Sequence, residues 1–191
     1  MSVASELKIV FTGPMGAGKT TAITAVSDFP PVSTEMQNND QQSFAKESTT
    51  VALDLGQIGL GDGTVVRLYG TPGQERFSFM WEIVGRGAMG VILLLDGSSP
   101  TVLADLKTYI EVFRRIAPEQ PFVVGVGRTR PDDYTQIEAC MRVLEALHFS
   151  APVFSVDVRK REDVLLLIET LLASLEVSQP HIDEVFENDP A

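Results

Sequence analysis

Short, β-branched apolar runs alternate along the chain with longer stretches in which apolar residues recur every three or four positions. The first kind reads as strands near Leu7–Thr12, Thr50–Leu60, Thr64–Gly70, Met89–Asp96, Phe122–Val126 and Val153–Val156. The second reads as helices over Lys19–Asp28, Ser78–Arg86, Thr101–Ile116, Thr135–His148 and Glu162–Val177. This alternation predicts an α/β fold, a six-stranded, mostly parallel sheet with about five helices. The Gly61-Asp62-Gly63 triplet between two alternating runs is a hairpin signal, so one strand should run antiparallel. A hairpin centred on Asp62 puts Asp54 opposite Gly70, within a register step of one residue. Phe29 to Ser48 is polar, shows no apolar period and reads as a loop long enough to be functional or disordered. The expected organisation is one domain over residues 1–177 and an acidic, flexible C-terminal tail over 178–191.

Composition narrows the partners. The 191 residues are 44% hydrophobic and 21% charged, the make-up of one ordinary globular domain. Fifteen basic against 26 acidic side chains give a net charge of −11, which repels polyphosphate backbones and anionic lipid. Nucleic acid is therefore not an expected partner. The longest apolar runs, such as Val91–Leu95, are too short to span a bilayer, and no lipidation signal is visible, so no direct membrane anchor is expected. A single Cys140 builds no disulfide framework; it reads as a small buried hydrophobe and predicts a reducing, cytoplasmic setting.

The strongest chemical signal is Gly13-Pro14-Met15-Gly16-Ala17-Gly18-Lys19-Thr20, a G-x-x-x-x-G-K-T run between a predicted strand and a predicted helix, with Thr21 following. Its glycines let the backbone curl so that N–H groups face phosphate oxygens, and the helix N-terminus adds partial positive charge. Lys19 would bridge the terminal phosphates, and the Thr20 hydroxyl would ligate Mg²⁺. Downstream, the third strand runs into Leu68-Tyr69-Gly70-Thr71-Pro72-Gly73-Gln74-Glu75-Arg76-Phe77. A Gly whose N–H can meet a γ-phosphate, followed by a Gln able to orient water, is the apparatus of a slow phosphate hydrolase.

With these motifs in this order, the chain from about Leu7 to Val177 resembles a Ras-like small GTPase of the P-loop class. It most resembles the bacterial and archaeal branch that includes the gliding-motility polarity GTPase and the roadblock-associated GTP-binding proteins, which carry T-P-G-Q or V-P-G-Q here. The resemblance implies a GTP/GDP switch with Mg²⁺, slow hydrolysis and two loops that order around the γ-phosphate. Gln74, Lys19 and Thr50 become the catalytic candidates, with Gly73 as γ-phosphate sensor. Thr50, with its neighbour Thr49 as the alternative, would close over Mg²⁺ together with Thr20. Asp157, Val158 and Arg159 fall in the segment that reads the base, Val158 at the position whose N–H meets the base carbonyl and Arg159 at the stacking position. A roadblock-type protein is the implied activator or co-complex. Phe77, Phe79 and Trp81 lie on the implied contact surface, unless Trp81 packs back onto the core.

Two departures stand out. The family's Mg²⁺-linked Asp is replaced by Gly70, and Asp54 on the adjacent strand is the proposed replacement carboxylate, its alternative being a solvated edge residue. Asp96, after Val-Ile-Leu-Leu-Leu, is a rival carboxylate with a structural reading and an ATPase-like metal reading. The guanine-reading N-K-x-D is replaced by Gly127-Arg128-Thr129-Arg130. Arg128 can stack on a purine, whereas Arg130 is donor-only and cannot accept from a guanine edge. Asp132 or Asp133 could reach in instead. The alternatives to a guanine-nucleotide switch are a degenerate scaffold without guanine selectivity and an ATP-using hydrolase.

Overall fold

Val91-Ile92-Leu93-Leu94-Leu95 has no polar residue, and in the computed structural model none of the five is more than 1% exposed. A strand apolar on both faces belongs in the middle of a parallel sheet covered by helices on each side. The structure describes residues 6–30, 32–37, 50–61 and 63–178. Among them the strands are β1 (Glu6–Thr12), β2 (Val32–Gln37), β3 (Thr50–Gly59), β4 (Val65–Gly70), β5 (Gly90–Asp96), β6 (Phe122–Gly127) and β7 (Val153–Ser155). The helices are α1 (Lys19–Val26), α2 (Ser78–Gly85), α3 (Val102–Ile116), α4 (Thr135–Ala146) and α5 (Arg161–Ser178). The sheet order is β2-β3-β4-β1-β5-β6-β7, a Ras-like P-loop arrangement.

Successive residues of β5 face opposite layers. Val91, Leu93 and Leu95 join α3 residues Leu106, Tyr109, Ile110 and Phe113 in one apolar cluster. Ile92 and Leu94 join Ala22, Ile23 and Val26 of α1 and Val164, Leu167, Ile168 and Leu171 of α5 in the other. Cys140 is buried in the first cluster, and burial pushes its thiol up to about 11, so it is the inert small hydrophobe that was expected. Among the described residues no helix is long and apolar enough to cross a membrane.

The hairpin register falls where the sequence put it: β3 and β4 are antiparallel, with Asp54 opposite Gly70. Leu60 N–H donates to Thr64 O at 2.9 Å to close the turn, and Asp62, read as its centre, lies outside the described residues. One expectation changes. Part of the Phe29–Ser48 loop is the edge strand β2, paired antiparallel to β3 with Ser33 opposite Asp54 and Gln37 opposite Thr50. Its order comes from backbone pairing with β3, which no apolar alternation in Val32–Gln37 announces. The sheet therefore has seven strands, six plus this edge, and β3 is the one that runs against its neighbours.

The parallel strands β1, β4, β5, β6 and β7 all point the same way, so the segments after them gather along one edge. β1 pairs with β4 on one side and β5 on the other, so consecutive elements depart to both sides of it. Crevices at such switch points take ligands in open α/β sheets.

Candidate functional site

The loop from β1 to α1 is held by its own backbone. Gly13 has φ 136°, and a Cβ there would sit 2.0 Å from Leu94 O, so only glycine fits between the loop and β5. Lys19 is 8% exposed, and its Nζ donates to Gly13 O at 2.7 Å and Pro14 O at 2.8 Å. The loop thus wraps the ammonium it would offer to phosphate. Burial pulls the Lys19 pKa down to about 8, with the Asp54 charge opposing the fall.

Thr20 Oγ1 donates to Asp54 Oδ2 at 2.5 Å. The strand register explains how a residue 34 positions away reaches the loop: Asp54 stands beside Gly70, at the same edge as the end of β1. A Cβ on Gly70 would lie 3.0 Å from Asp54 Cβ and 3.2 Å from Asp54 Oδ2. An Asp at position 70 and the observed Asp54 would compete for one space. A hydroxyl touching a carboxylate is an all-oxygen donor set that suits Mg²⁺, which takes few protein ligands beside water and phosphate. Among the described residues, no group of three or more His, Cys, Asp and Glu is arranged to hold a metal. Thr50 opens β3; its side chain and Thr49 lie outside the described residues.

Beyond β4 the chain is pinned before it reaches Gln74. Thr71 N–H donates to Phe11 O at 2.9 Å, and the buried Thr71 and Thr12 hydroxyls share a hydrogen bond of 2.9 Å. Trp81 Nε1 donates to Pro72 O at 2.7 Å, and Tyr109 OH to Gly73 O at 3.4 Å. Gly73 lies against the phosphate loop so closely that a Cβ would be 2.4 Å from Met15 N. Gln74 follows, with Nε2 3.5 Å from Met15 Sδ and Oε1 accepting from Arg76 Nε at 2.7 Å. Trp81 is 1% exposed and packs on Tyr109 with ring centroids 4.6 Å apart, which removes it from the expected aromatic surface. Phe79 stays exposed there, joined by Ile83.

On the other side of the loop is an open cavity of about 680 Å³, lined by Ala17, Gly18 and Thr21, by Gly127 to Tyr134 and by Ser155 to Lys160. Val158 packs on Gly18, where a Cβ would meet Val158 Cγ2 at 2.7 Å. The arginines expected to stack on a base are each tethered. Arg128, at φ 55°, pairs with Asp96, and Arg159 Nε and NH2 donate to Asp157 at 2.8 and 2.7 Å. Hydrogen bonds from Arg159, side chain first, then backbone, pull Asp157 down to about 2. Burial pushes Asp96 up, but hydrogen bonds from Ser98 and Arg128 outweigh it and leave the carboxyl below its ordinary value. Asp96 holds Ser98 and Arg128 at the cavity wall.

Of the two aspartates that could replace the missing base acceptor, Asp133 has its Oδ1 accepting from Thr135 N–H at 3.1 Å at the start of α4, a bond that uses one of its acceptor sites. Asp133 N–H closes a turn to Arg130 O at 3.2 Å, with Pro131 and then Asp132, at φ 63°, in its middle positions. Pro followed by a positive-φ residue is the type II pattern, in which glycine would be the relaxed choice. Asp132 is exposed and lines the cavity, with no side-chain hydrogen bond among the described residues.

A family model described as "Conserved hypothetical ATP binding protein" matches residues 11–133, from the end of β1 to the turn that presents Asp132. The chain belongs to this family. Within it, this member is also homologous to Rab and Ras-related small GTPases. Rab-27A of Sus scrofa is 28% identical over 182 residues, covering 87% of this chain and 76% of that protein. RabC of Dictyostelium discoideum is 26% identical over 125 residues, covering 63% of this chain and 58% of its own. An uncharacterized protein of Methanocaldococcus jannaschii is 30% identical over 93 residues, about half of each chain. The family member is thus a P-loop nucleotide-binding protein of GTPase-like kind. Sequence reasoning had singled out the loop, Asp54 and Gln74; it missed the tether of Arg128 to Asp96 and the hold of Arg76 on Gln74, whose only signal was that Arg76 lies two residues on.

Proposed function

We propose that the protein binds a guanine nucleoside triphosphate with Mg²⁺, hydrolyses it slowly and signals through two switch segments, Phe29–Ser48 and the turn after Gln74. The observation that carries this reading is the finished phosphate side: the buried Lys19 ammonium inside its own loop, Thr20 on Asp54, and Gly73 seated on Met15. Thr20, Asp54 and Thr50 would hold Mg²⁺, which neutralises charge on the transferring phosphoryl group. Gln74 would orient the attacking water, Lys19 would bind the terminal phosphates, and Gly73 N–H would sense the last of them. Gly13 to Thr21 would cradle the phosphates, while Arg128, Asp157, Val158 and Arg159 frame the base.

Guanine presents two donors on one edge, and only an acceptor fork satisfies both. Asp132, in the turn at the cavity wall, would be the acceptor for that edge, with Asp133 as the alternative. The second reading, an ATP-using hydrolase, is favoured by the family description and by Arg130 in place of the usual acceptor. A degenerate scaffold is the third outcome. By resemblance, a roadblock-type protein would dock where Phe79 and Ile83 are exposed, in a cytoplasmic setting, with residues 1–177 as the domain and 178–191 as its tail.

Calorimetric titration of nucleotide-stripped protein with GTP, GDP, ATP and ADP, with and without Mg²⁺, tests the reading. Tight, Mg²⁺-dependent, guanine-selective binding is expected. Preference for ATP, or no binding, overturns the guanine switch in favour of the second or third reading.

A further inference from the structure

Arg76 has more to do at this site than decorate a surface. Its Nε donates to Gln74 Oε1 at 2.7 Å while its guanidinium lies over the Phe77 ring, 4.7 Å from the centroid. Two attachments fix a side chain that would otherwise be a free, exposed cation. The fork's terminal nitrogens have no hydrogen-bond partner among the described residues. Gln74 in turn has its Nε2 at the phosphate loop, 3.5 Å from Met15 Sδ. A carboxamide is planar, so gripping its oxygen from one side decides where its nitrogen points.

We infer that Arg76 is a positioning residue for hydrolysis, acting through Gln74; this rests on the hydrolase reading above. The oxygen of Gln74 has two acceptor sites, so one bond to Arg76 leaves the other for the attacking water. The charged donor polarises the carboxamide and strengthens the Nε2–H, which lies at the phosphate loop against Met15. The same contact limits the side chain to few rotamers before substrate arrives, which removes an entropic cost from the chemical step. Phe77 is part of the device, since its ring holds the guanidinium plane.

Single-turnover hydrolysis and nucleotide affinity of four proteins test this: unsubstituted, Arg76→Ala, Gln74→Leu and the double variant. Arg76→Ala is expected to slow hydrolysis roughly tenfold, the loss of about one charged hydrogen bond, with nucleotide affinity unchanged. In the Gln74→Leu background the same substitution should cost nothing further, because its route of action is gone. A purely structural residue would lower affinity as well, and an arginine touching phosphate directly would multiply the Gln74→Leu defect; either result overturns the assignment. Unchanged hydrolysis by Arg76→Ala beside an active unsubstituted protein overturns this assignment alone. An unsubstituted protein that binds nucleotide but turns over no purine triphosphate overturns the hydrolase reading and this assignment with it.

Discussion

The phosphate side and the base side of the cleft are built on different physical terms. On the phosphate side the decisive groups are backbone: Gly13 and Pro14 carbonyls around Lys19, and Gly73 pressed on Met15. On the base side they are charged side chains from three separate loops, paired Arg128 with Asp96 and Arg159 with Asp157. Backbone geometry tolerates few residue types and keeps a readable spelling, whereas an ion pair can be rebuilt from any loop that reaches. That is why one side matches a motif letter by letter and the other does not.

Substitutions on the two sides should therefore differ in size. Lys19→Ala removes a buried cation from the phosphates and is expected to weaken triphosphate binding by roughly a hundredfold or more, whereas Arg128→Ala should cost about tenfold or less. Calorimetry on both variants checks the contrast, and equal losses would break it. Asp132→Asn should lower GTP affinity by roughly tenfold to a hundredfold and favour a xanthine nucleotide, whose edge offers an acceptor where guanine has an amino group. Competition between the two nucleotides reads this out, and an unchanged preference would remove Asp132 from the base site.

Gly70→Asp crowds Asp54 and Ile23, each 3.0 Å from the added Cβ. It should destabilise the fold by about 1–3 kcal/mol. Thermal melts should show the loss, and adding Asp54→Ala should recover part of it. The smallest effect concerns protons. The Lys19 ammonium, near pKa 8, is charged below that pH and neutral above it, so affinity should hold below pH 8 and weaken as pH rises through it. Bound phosphate favours the charged form, so binding at pH 8.5 should draw a proton from buffer, seen as a heat that varies with buffer ionisation enthalpy. Binding at pH 6.5 should draw none through this group.

Much of the molecule was legible in its residues. The expected strands and helices lie within a few residues of those observed, because interior strands such as β5 are continuous apolar runs and α3 repeats apolar residues at the helical period. α1 stops at Val26, two residues early, where Asp28 N–H donates to Gln57 O of β3 at 2.8 Å and the Asp28 carboxylate accepts from Gly59 N–H at 2.7 Å. The edge strand β2 was read as loop because backbone pairing, not side-chain burial, makes it a strand. Between the two readings of Trp81, surface aromatic or core, the sequence could not choose; burial and its indole N–H on Pro72 O place it in the core.

By itself the sequence determined the α/β class, the phosphate loop and the register that sets Asp54 against Gly70, since each follows from local periodicity, glycine spacing or a turn of known length. Only the tertiary structure decided that Thr20 rests on Asp54, that Asp96 serves Arg128 and that Arg76 holds Gln74. Those contacts join side chains whose separation depends on how strands, turns and loops are placed in space, and a linear pattern of residues carries no measure of that distance.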